Sequence, residues 1–85
     1  MAWYVYIVKC ADTTLYVGST NDVEKRIIQH NSHKSGAHYT KIRRPVVLVY
    51  KERKRDLAFA RKREAELKRL TRAQKLTLIS EQKTL

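Results

Sequence analysis

The sequence has few of the residues that cross-link, break or disorder a chain. Its 85 residues include a single cysteine, Cys10, which excludes an intrachain disulfide and any zinc site built from several cysteines. Only two glycines and one proline are present, which argues against a disordered or low-complexity chain. The sequence also lacks both an apolar run of about 18 residues and the basic leader of a signal peptide. We therefore expect one folded domain over residues 1–85, located in the cytoplasm and not in a membrane.

Positive charge is abundant and concentrated in the second half of the sequence. The chain carries 19 Lys and Arg against 8 Asp and Glu, a net charge of +11, and residues 41–75 alone hold 14 basic and 4 acidic residues. This one-sided excess favours a polyanion as partner, because each neutralised phosphate releases condensed counterions. We predict a nucleic acid and no obligate protein partner, with a membrane surface or a simply soluble basic protein as alternatives. The candidate phosphate contacts are Lys41, Arg43, Arg44, Arg61 and Lys68.

The hydropathy pattern predicts three strands. Apolar runs rich in aromatic and β-branched residues span residues 3–8, 15–17 and 46–50, with Gly18 ending the second strand and Pro45 preceding the third. The first run is apolar on both faces, so we place it in the middle of an antiparallel sheet. The connection from the second strand to the third is then expected to be a right-handed crossover.

Capping patterns predict three helices. Asn21 and Glu24 have the spacing of a capping box, which predicts a helix over residues 22–33. Asp56 is the expected N-cap of a helix that continues to residue 70, and Thr71 with Gln74 predicts a last helix that ends near residue 82. A polar, basic loop is expected over residues 34–44. The predicted fold is α+β: a small three-stranded antiparallel sheet flanked by three helices in the order β-β-α-β-α-α.

The first helix carries an anion-binding and a titratable group on one stripe. Asp22, Arg26 and His30 are spaced four residues apart, so the guanidinium and the imidazole lie side by side. Gly18 lies just before this helix, and its missing side chain would let a ligand approach the strand end. The alternative is an exposed helix face with an Asp22–Arg26 ion pair.

The second helix presents a carboxylate at the margin of its apolar arc. Glu64 projects between Leu57 and Ala60, and such a group needs a partner. An intrahelical salt bridge to one of the surrounding basic residues is one explanation. The other is a carboxylate that holds a hard divalent cation in a phosphate-binding cleft, with Glu66 as the second choice. The predicted arc consists of Leu57, Phe59, Ala60, Leu67 and Leu70.

The remaining candidates are tyrosines and histidines. The predicted hairpin carries three phenols, which are usual packing residues of strands and gain chemical interest only beside Arg26, His30 and Glu64. Three histidines within nine residues suggest zinc, but no thiolates accompany them and we disfavour that site. Cys10 is expected to be a small core residue. The tyrosines are Tyr4, Tyr6 and Tyr16, and the histidines are His30, His33 and His38.

Taken in order, these residues resemble the GIY-YIG nuclease family. Tyr4-Val5-Tyr6 stands where the GIY triplet is expected, and Tyr16-Val17-Gly18 stands where YIG is expected, ten residues later. The segments WYVYIVKCAD, LYVGSTNDVEKR, AHYT and REAELKRLT are similar to the small, single-domain bacterial YhbQ-like (URI) group. Each triplet alone is weak, but the ordered set is specific and covers nearly the whole chain.

The resemblance implies a three-stranded antiparallel sheet flanked by helices, which agrees with the predicted fold, and it also implies a reaction and a set of site residues. It implies hydrolysis of DNA phosphodiesters with Mg²⁺ or Mn²⁺ and little sequence specificity, in DNA repair or recombination, in the bacterial cytosol near the nucleoid. Tyr16 would help to deprotonate the attacking water, with Tyr6 beside it at the phosphate. Arg26 would stabilise the phosphoryl charge, His30 would assist proton transfer or orient a phenol, and Glu64 would bind the metal. A nucleic-acid-binding or protein-interaction module without turnover is the alternative.

Overall fold

The computed structural model describes residues 2–32 and 43–82. Within these ranges the chain forms three strands and three helices, and the predicted α+β class and element order β-β-α-β-α-α are confirmed. The elements are β1 (Trp3–Lys9), β2 (Leu15–Thr20), α1 (Val23–His30), β3 (Val47–Lys54), α2 (Leu57–Lys68) and α3 (Arg72–Glu81).

The three strands form one antiparallel sheet with the order β2-β1-β3. The prediction that the first strand is central is confirmed, because four consecutive residues from Val5 to Val8 are buried and need cover on both faces. On this central strand, Tyr6 pairs with Gly18 of β2 and with Lys51 of β3. A bulge between Ile7 and Val8 changes the register of the pairing between β1 and β3.

The second and third strands differ most from the prediction. β2 does not end at Gly18 but continues to Thr20, because Gly18 pairs with Tyr6 and its missing side chain leaves room for the Tyr6 ring. β3 begins at Val47 and continues to Lys54, well beyond the apolar run. The added residues are polar, which an edge strand tolerates because one of its sides and much of its surface face water.

Strand alternation separates the core into two clusters on opposite faces of the sheet. Under α2 and α3, Val5, Ile7 and Val17 pack with Ala60 and Leu67. On the opposite face, under α1, lie Tyr6, Val8, Cys10 and Val46, with Tyr16, Ile27 and Leu48 packed against them. The buried position of Cys10 agrees with its predicted role as a core residue.

Phe59, a residue of the predicted apolar arc on α2, lies outside the core. The Phe59 side chain is 44% exposed, and the guanidinium of Arg55 lies 4.4 Å from its ring centroid. A cation over an aromatic face stabilises this exposed position in place of core packing. Ala60 and Leu67, which were also predicted in the arc, are fully buried.

The helix caps agree with the prediction for two helices of the three. The Asp56 side chain accepts a hydrogen bond from the backbone of Phe59, and Thr71 and Gln74 form the expected capping box. At α1 the N-cap is Asp22 and not Asn21, because the Asp22 carboxylate accepts the Lys25 N–H at 3.1 Å.

The C-terminal ends of two helices differ from the prediction. α1 ends at His30, and the predicted last turn reaches His33, which lies outside the described residues. α2 ends at Lys68, two residues earlier than predicted. None of the helices formed by residues 2–32 and 43–82 has the length and apolarity needed to cross a membrane.

Candidate functional site

A buried phenol and a buried imidazole form the centre of the candidate site. The Tyr6 Oη and His30 Nε2 atoms are 2.7 Å apart, and their rings meet edge to face. The exposed fraction is 1% for Tyr6 and 0% for His30, so water competes for neither group. The pair joins the central strand to the last residue of α1.

Burial keeps both partners neutral near pH 7. Burial raises the pKa of Tyr6 to about 12, and the nearby Arg26 guanidinium opposes this effect only in part. Burial also lowers the pKa of His30 to about 4, and the positive charges of Arg26 and Arg44 act in the same direction. A neutral imidazole can accept a proton from a phenol, or donate its own N–H, depending on its tautomer.

Tyr16 and Arg26 complete this cluster on the more open side. The Tyr16 ring meets His30 edge to face with centroids 5.3 Å apart, and Tyr16 is only half-buried. Arg26 is half-buried on the next turn of α1 toward its N-terminus, and its Nη1 donates to the Gln29 side chain at 3.1 Å. Four of the five predicted catalytic residues therefore lie together, and Tyr16 and Arg26 are the two of them that border solvent.

The end of α1 is held in place by the chain segment that leads into β3. Asn31 donates its side-chain N–H to the Val46 carbonyl at 3.2 Å, and its Oδ1 accepts the Val46 N–H at 2.8 Å. Arg44 Nε donates to the His30 carbonyl at 2.6 Å. These three bonds fix the backbone of His30, which keeps its imidazole against Tyr6.

Glu64 lies in a separate polar pocket on the α2 side of the sheet. Ser19 Oγ donates to Glu64 Oε1 at 2.5 Å, and Lys68 Nζ lies 2.7 Å from Oε2. Burial raises the pKa of this carboxyl, but the hydrogen bonds from Lys68 and Ser19 outweigh burial and hold the pKa of Glu64 below its usual range. The pocket has a volume of about 440 Å³ and is lined by Ser19, Arg61, Glu64, Ala65 and Lys68.

The two groups are on opposite faces of the sheet but share the strand β2. Tyr16 points toward α1, whereas Val17 points toward α2 and places Ser19 on that same side. Because β2 is an edge strand, a ligand lying along its open side can reach both faces. The charge of Glu64 also acts on the Tyr6 phenol, where it raises the pKa.

The structure changes the interpretation of Gly18. The sequence predicted that its missing side chain admits a ligand, but that space is filled by the protein itself. A Cβ at this position would lie 2.5 Å from Tyr6 Oη and 2.7 Å from Tyr6 Cζ. Gly18 therefore accommodates the Tyr6 ring, and the ligand path is expected beside Tyr16 and Arg26.

The residues present can hold a divalent cation only with the help of water or substrate oxygens. Within the described part of the chain, no group of three or more His, Cys, Asp or Glu side chains lies close enough to hold a metal ion. Glu64 offers one carboxylate, and Mg²⁺ is commonly bound by one or two carboxylates together with waters and phosphate oxygens. The pocket thus fits a hydrated Mg²⁺ or Mn²⁺ that is shared with a phosphate. Two of the three histidines considered for zinc lie outside the described residues.

The predicted phosphate contacts differ in how they are used by the fold. Arg43 pairs with Asp12 at 3.0 Å, and Arg44 is bonded to the end of α1. Arg61 and Lys68 lie on the rim of the Glu64 pocket and are exposed. Lys41 lies outside the described residues. Because their side chains are exposed, Arg61 and Lys68 are the better candidates for contact with a nucleic acid.

Sequence reasoning missed the residue that positions the carboxylate. Ser19 follows Gly18 in an edge strand, and its alternation with Val17 places it on the α2 face. The correct strand end would have revealed this, because the predicted end at Gly18 excluded Ser19 from the sheet.

The salt bridge that was the alternative explanation for Glu64 is present, with Lys68 as partner. The alternative Asp22–Arg26 pair does not form, because Asp22 caps α1 and Arg26 bonds to Gln29.

Comparison with known proteins finds one family over most of the chain. Residues 2–77 match the family model described as the GIY-YIG catalytic domain. A UPF0213 protein of Staphylococcus saprophyticus is 58% identical over 78 residues, which cover 92% of this chain and 94% of that protein. A UPF0213 protein of Desulfotalea psychrophila is 54% identical over the same length, with 92% of this chain and 71% of that protein covered.

Two solved structures have the same fold. The solution NMR structure of the UPF0213 protein BH0048 from Bacillus halodurans matches with a TM-score of 0.62 and 41% identity, over 96% of this chain and 86% of that one. The solution NMR structure of EF2693 from E. faecalis matches with a TM-score of 0.64 and 34% identity, over 95% of this chain and 85% of that one.

Proposed function

The chain belongs to the GIY-YIG family, which implies a nuclease-type function, and we propose that it is a divalent-metal-dependent endonuclease that hydrolyses DNA phosphodiesters with little sequence specificity. The observation that carries this proposal is the cluster of Tyr6, Tyr16, Arg26 and His30, with the Glu64 carboxylate at the same edge strand. DNA repair or recombination, in the bacterial cytoplasm and near the nucleoid, is the proposed setting.

Burial suggests a division of labour among the five residues. Tyr16, Arg26 and Glu64 are partly exposed and would contact the substrate at the open side of β2. The Arg26 guanidinium would donate to phosphoryl oxygens, where charge accumulates in the transition state. Tyr6 and His30 are buried, so we assign both to orienting the Tyr16 phenol. Of the two, the neutral His30 imidazole would be the group that receives and returns its proton.

The cation would be held on the opposite side of the same strand. Glu64 would supply the protein ligand, and Ser19 would fix the orientation of its carboxylate. GIY-YIG nucleases generally use divalent metal ions, and such an ion, when bound, supplies Lewis acidity at a phosphoryl oxygen. The exposed Arg61 would steer the phosphate toward this pocket.

A non-catalytic nucleic-acid-binding module is the second candidate function. The observation that favours it is the full set of partners around Glu64, since both carboxylate oxygens already bind side chains of the protein. A carboxylate in this state needs no metal for its satisfaction. The two functions differ in what replacing Glu64 does to cleavage and to binding.

The test compares Glu64→Gln with the parent on a panel of branched, nicked and single-stranded DNAs with Mg²⁺ and Mn²⁺. The change is nearly isosteric and removes one negative charge from a basic helix, so DNA binding should stay equal or become slightly tighter. Cleavage should fall by at least about 100-fold, because each 1.36 kcal/mol of lost transition-state stabilisation costs about tenfold in rate.

Glu66→Gln is the matched control. Glu66 is on the same helix and carries the same charge, but it is exposed and pairs with Arg63 at 3.2 Å, away from the pocket. The Glu66→Gln variant should cut DNA at the parental rate. Equal cleavage by the parent and by Glu64→Gln would refute the catalytic assignment, and binding without cleavage by the parent on every substrate would favour the second function.

A further inference from the structure

The carboxylate of Glu64 already holds a cation that belongs to the protein. Lys68 lies one helical turn after Glu64, and its ammonium group is 2.7 Å from Oε2. The other oxygen, Oε1, accepts the Ser19 hydroxyl. One oxygen is therefore fixed by a neutral donor from β2, and the other is bound by a positive charge from α2.

The exposures of the two charged side chains differ. The exposed fraction is 21% for the Glu64 side chain and 54% for Lys68, so the carboxylate is held while the ammonium group borders water. The lysine stem has four rotatable carbons and can turn the ammonium group into solvent without moving the backbone. Lys68 can thus leave Oε2 while Ser19 keeps Oε1 in place.

A divalent ion that binds Glu64 must compete with this ammonium group for the same oxygen. We propose that Lys68 is an exchangeable internal counter-ion that occupies the cation position of Glu64 and weakens metal binding until a divalent ion displaces it. This inference rests on the proposed function, because it takes Glu64 as the metal ligand. It also gives the released ammonium group a place beside Arg61 on the rim of the pocket, where both can face a phosphate.

The test measures metal binding by the full chain in the absence of DNA. Mn²⁺ is titrated while paramagnetic broadening of the backbone amide signals of Ser19 and Glu64 is followed by NMR. Lys68→Met keeps the apolar stem and removes the charge, so the Mn²⁺ dissociation constant should decrease about two- to fivefold, the range for a partly exposed ion pair. Lys68→Arg keeps the competing charge and should bind Mn²⁺ like the parent.

Lys62→Met is the matched control for the overall loss of one positive charge. Lys62 is exposed on the same helix, two residues before Glu64, and i, i+2 positions do not face each other. It should change the dissociation constant by less than about 1.5-fold, since screening weakens charges that do not touch. Tighter binding by Lys68→Met alone supports the exchange.

Two results would overturn the inference in different ways. If the parent and Lys68→Met bind Mn²⁺ near Glu64 with equal affinity, the exchange is wrong, while Glu64 as a metal ligand stands. If Mn²⁺ broadens no signal near Glu64 in either protein, the exchange and the assignment of Glu64 both fail. A cleavage assay of the parent with EDTA then decides separately whether the chain is a metal-dependent nuclease.

Discussion

Gly18→Ala tests how the sheet accommodates the buried tyrosine of the candidate site. Gly18 pairs with Tyr6 across β1 and β2, and the Tyr6 ring lies over its Cα. The added Cβ would be 2.5 Å from Tyr6 Oη, whereas ordinary contact begins at 3.4 Å. To reach ordinary contact the oxygen would have to move by about 0.9 Å, the difference between these two distances. We expect its hydrogen bond of 2.7 Å to His30 to break, because a displacement of this size away from the imidazole takes the two atoms beyond hydrogen-bonding distance.

The expected loss of stability is large for so small a domain. Overpacking a tight core costs about 1–3 kcal/mol, and a lost buried hydrogen bond adds about 1 kcal/mol. A chain of 85 residues has a free energy of unfolding of about 4–13 kcal/mol, so this single methyl group removes a substantial part of it. The melting temperature should decrease by roughly 8–30 °C.

Urea unfolding and thermal melts of Gly18→Ala, Tyr6→Phe and the double variant measure this effect. Both single changes break the bond between Tyr6 and His30, so their costs should not add. The double variant should be more stable than additivity predicts by about 1 kcal/mol. A Gly18→Ala protein that melts like the parent, with the His30 imidazole signals unshifted, would show that the ring does not need the space above Gly18.

Two further predictions concern proton binding and salt. The pKa of His30 is about 4 in the folded chain and 6.5 ordinarily, so the unfolded chain binds more protons between these two pH values. The contribution of His30 to the free energy of unfolding should therefore be fully present above pH 6.5 and decrease as the pH falls toward 4. NMR titration of the imidazole checks this, and a midpoint near 6.5 would contradict the buried, neutral state. Arg61→Gln should reduce the slope of log K for duplex DNA against log salt by about 0.9, the value for one phosphate contact. Lys9→Gln, with the same charge change at the far end of β1, should leave the slope unchanged, and equal slopes for parent and Arg61→Gln would place the contact elsewhere.

The sheet order and two of the three caps could be predicted because their signals are local. A run that is apolar at consecutive positions needs cover on both faces, and this placed β1 in the centre. Asp56 and Thr71 bond to backbone groups only three residues away, so a short sequence window contains the whole interaction. The N-cap of α1 was misplaced by one residue because Asn21 and Asp22 are both good capping residues and only the folded backbone selects between them.

The contact between Ser19 and Glu64 could not be predicted because it joins residues distant in sequence. Ser19 and Glu64 are 45 positions apart, and their hydrogen bond depends on β2 continuing past Gly18. The apolar pattern ended at Val17, since the residues that follow in this edge strand are small or polar. The sequence pattern also does not indicate that the Tyr6 ring fills the space above Gly18.

The placement of the candidate residues depends on β2 being an edge strand. If another strand paired with its open side, Tyr16 on one face and Ser19 with Glu64 on the other would be separated by a continuous sheet. As it is, the same strand carries the phenol, the glycine that makes room for Tyr6 and the serine that holds the carboxylate, within four residues of each other. Alternation sends these side chains to opposite faces, and in the proposed function the open edge would let one extended polyanion contact both.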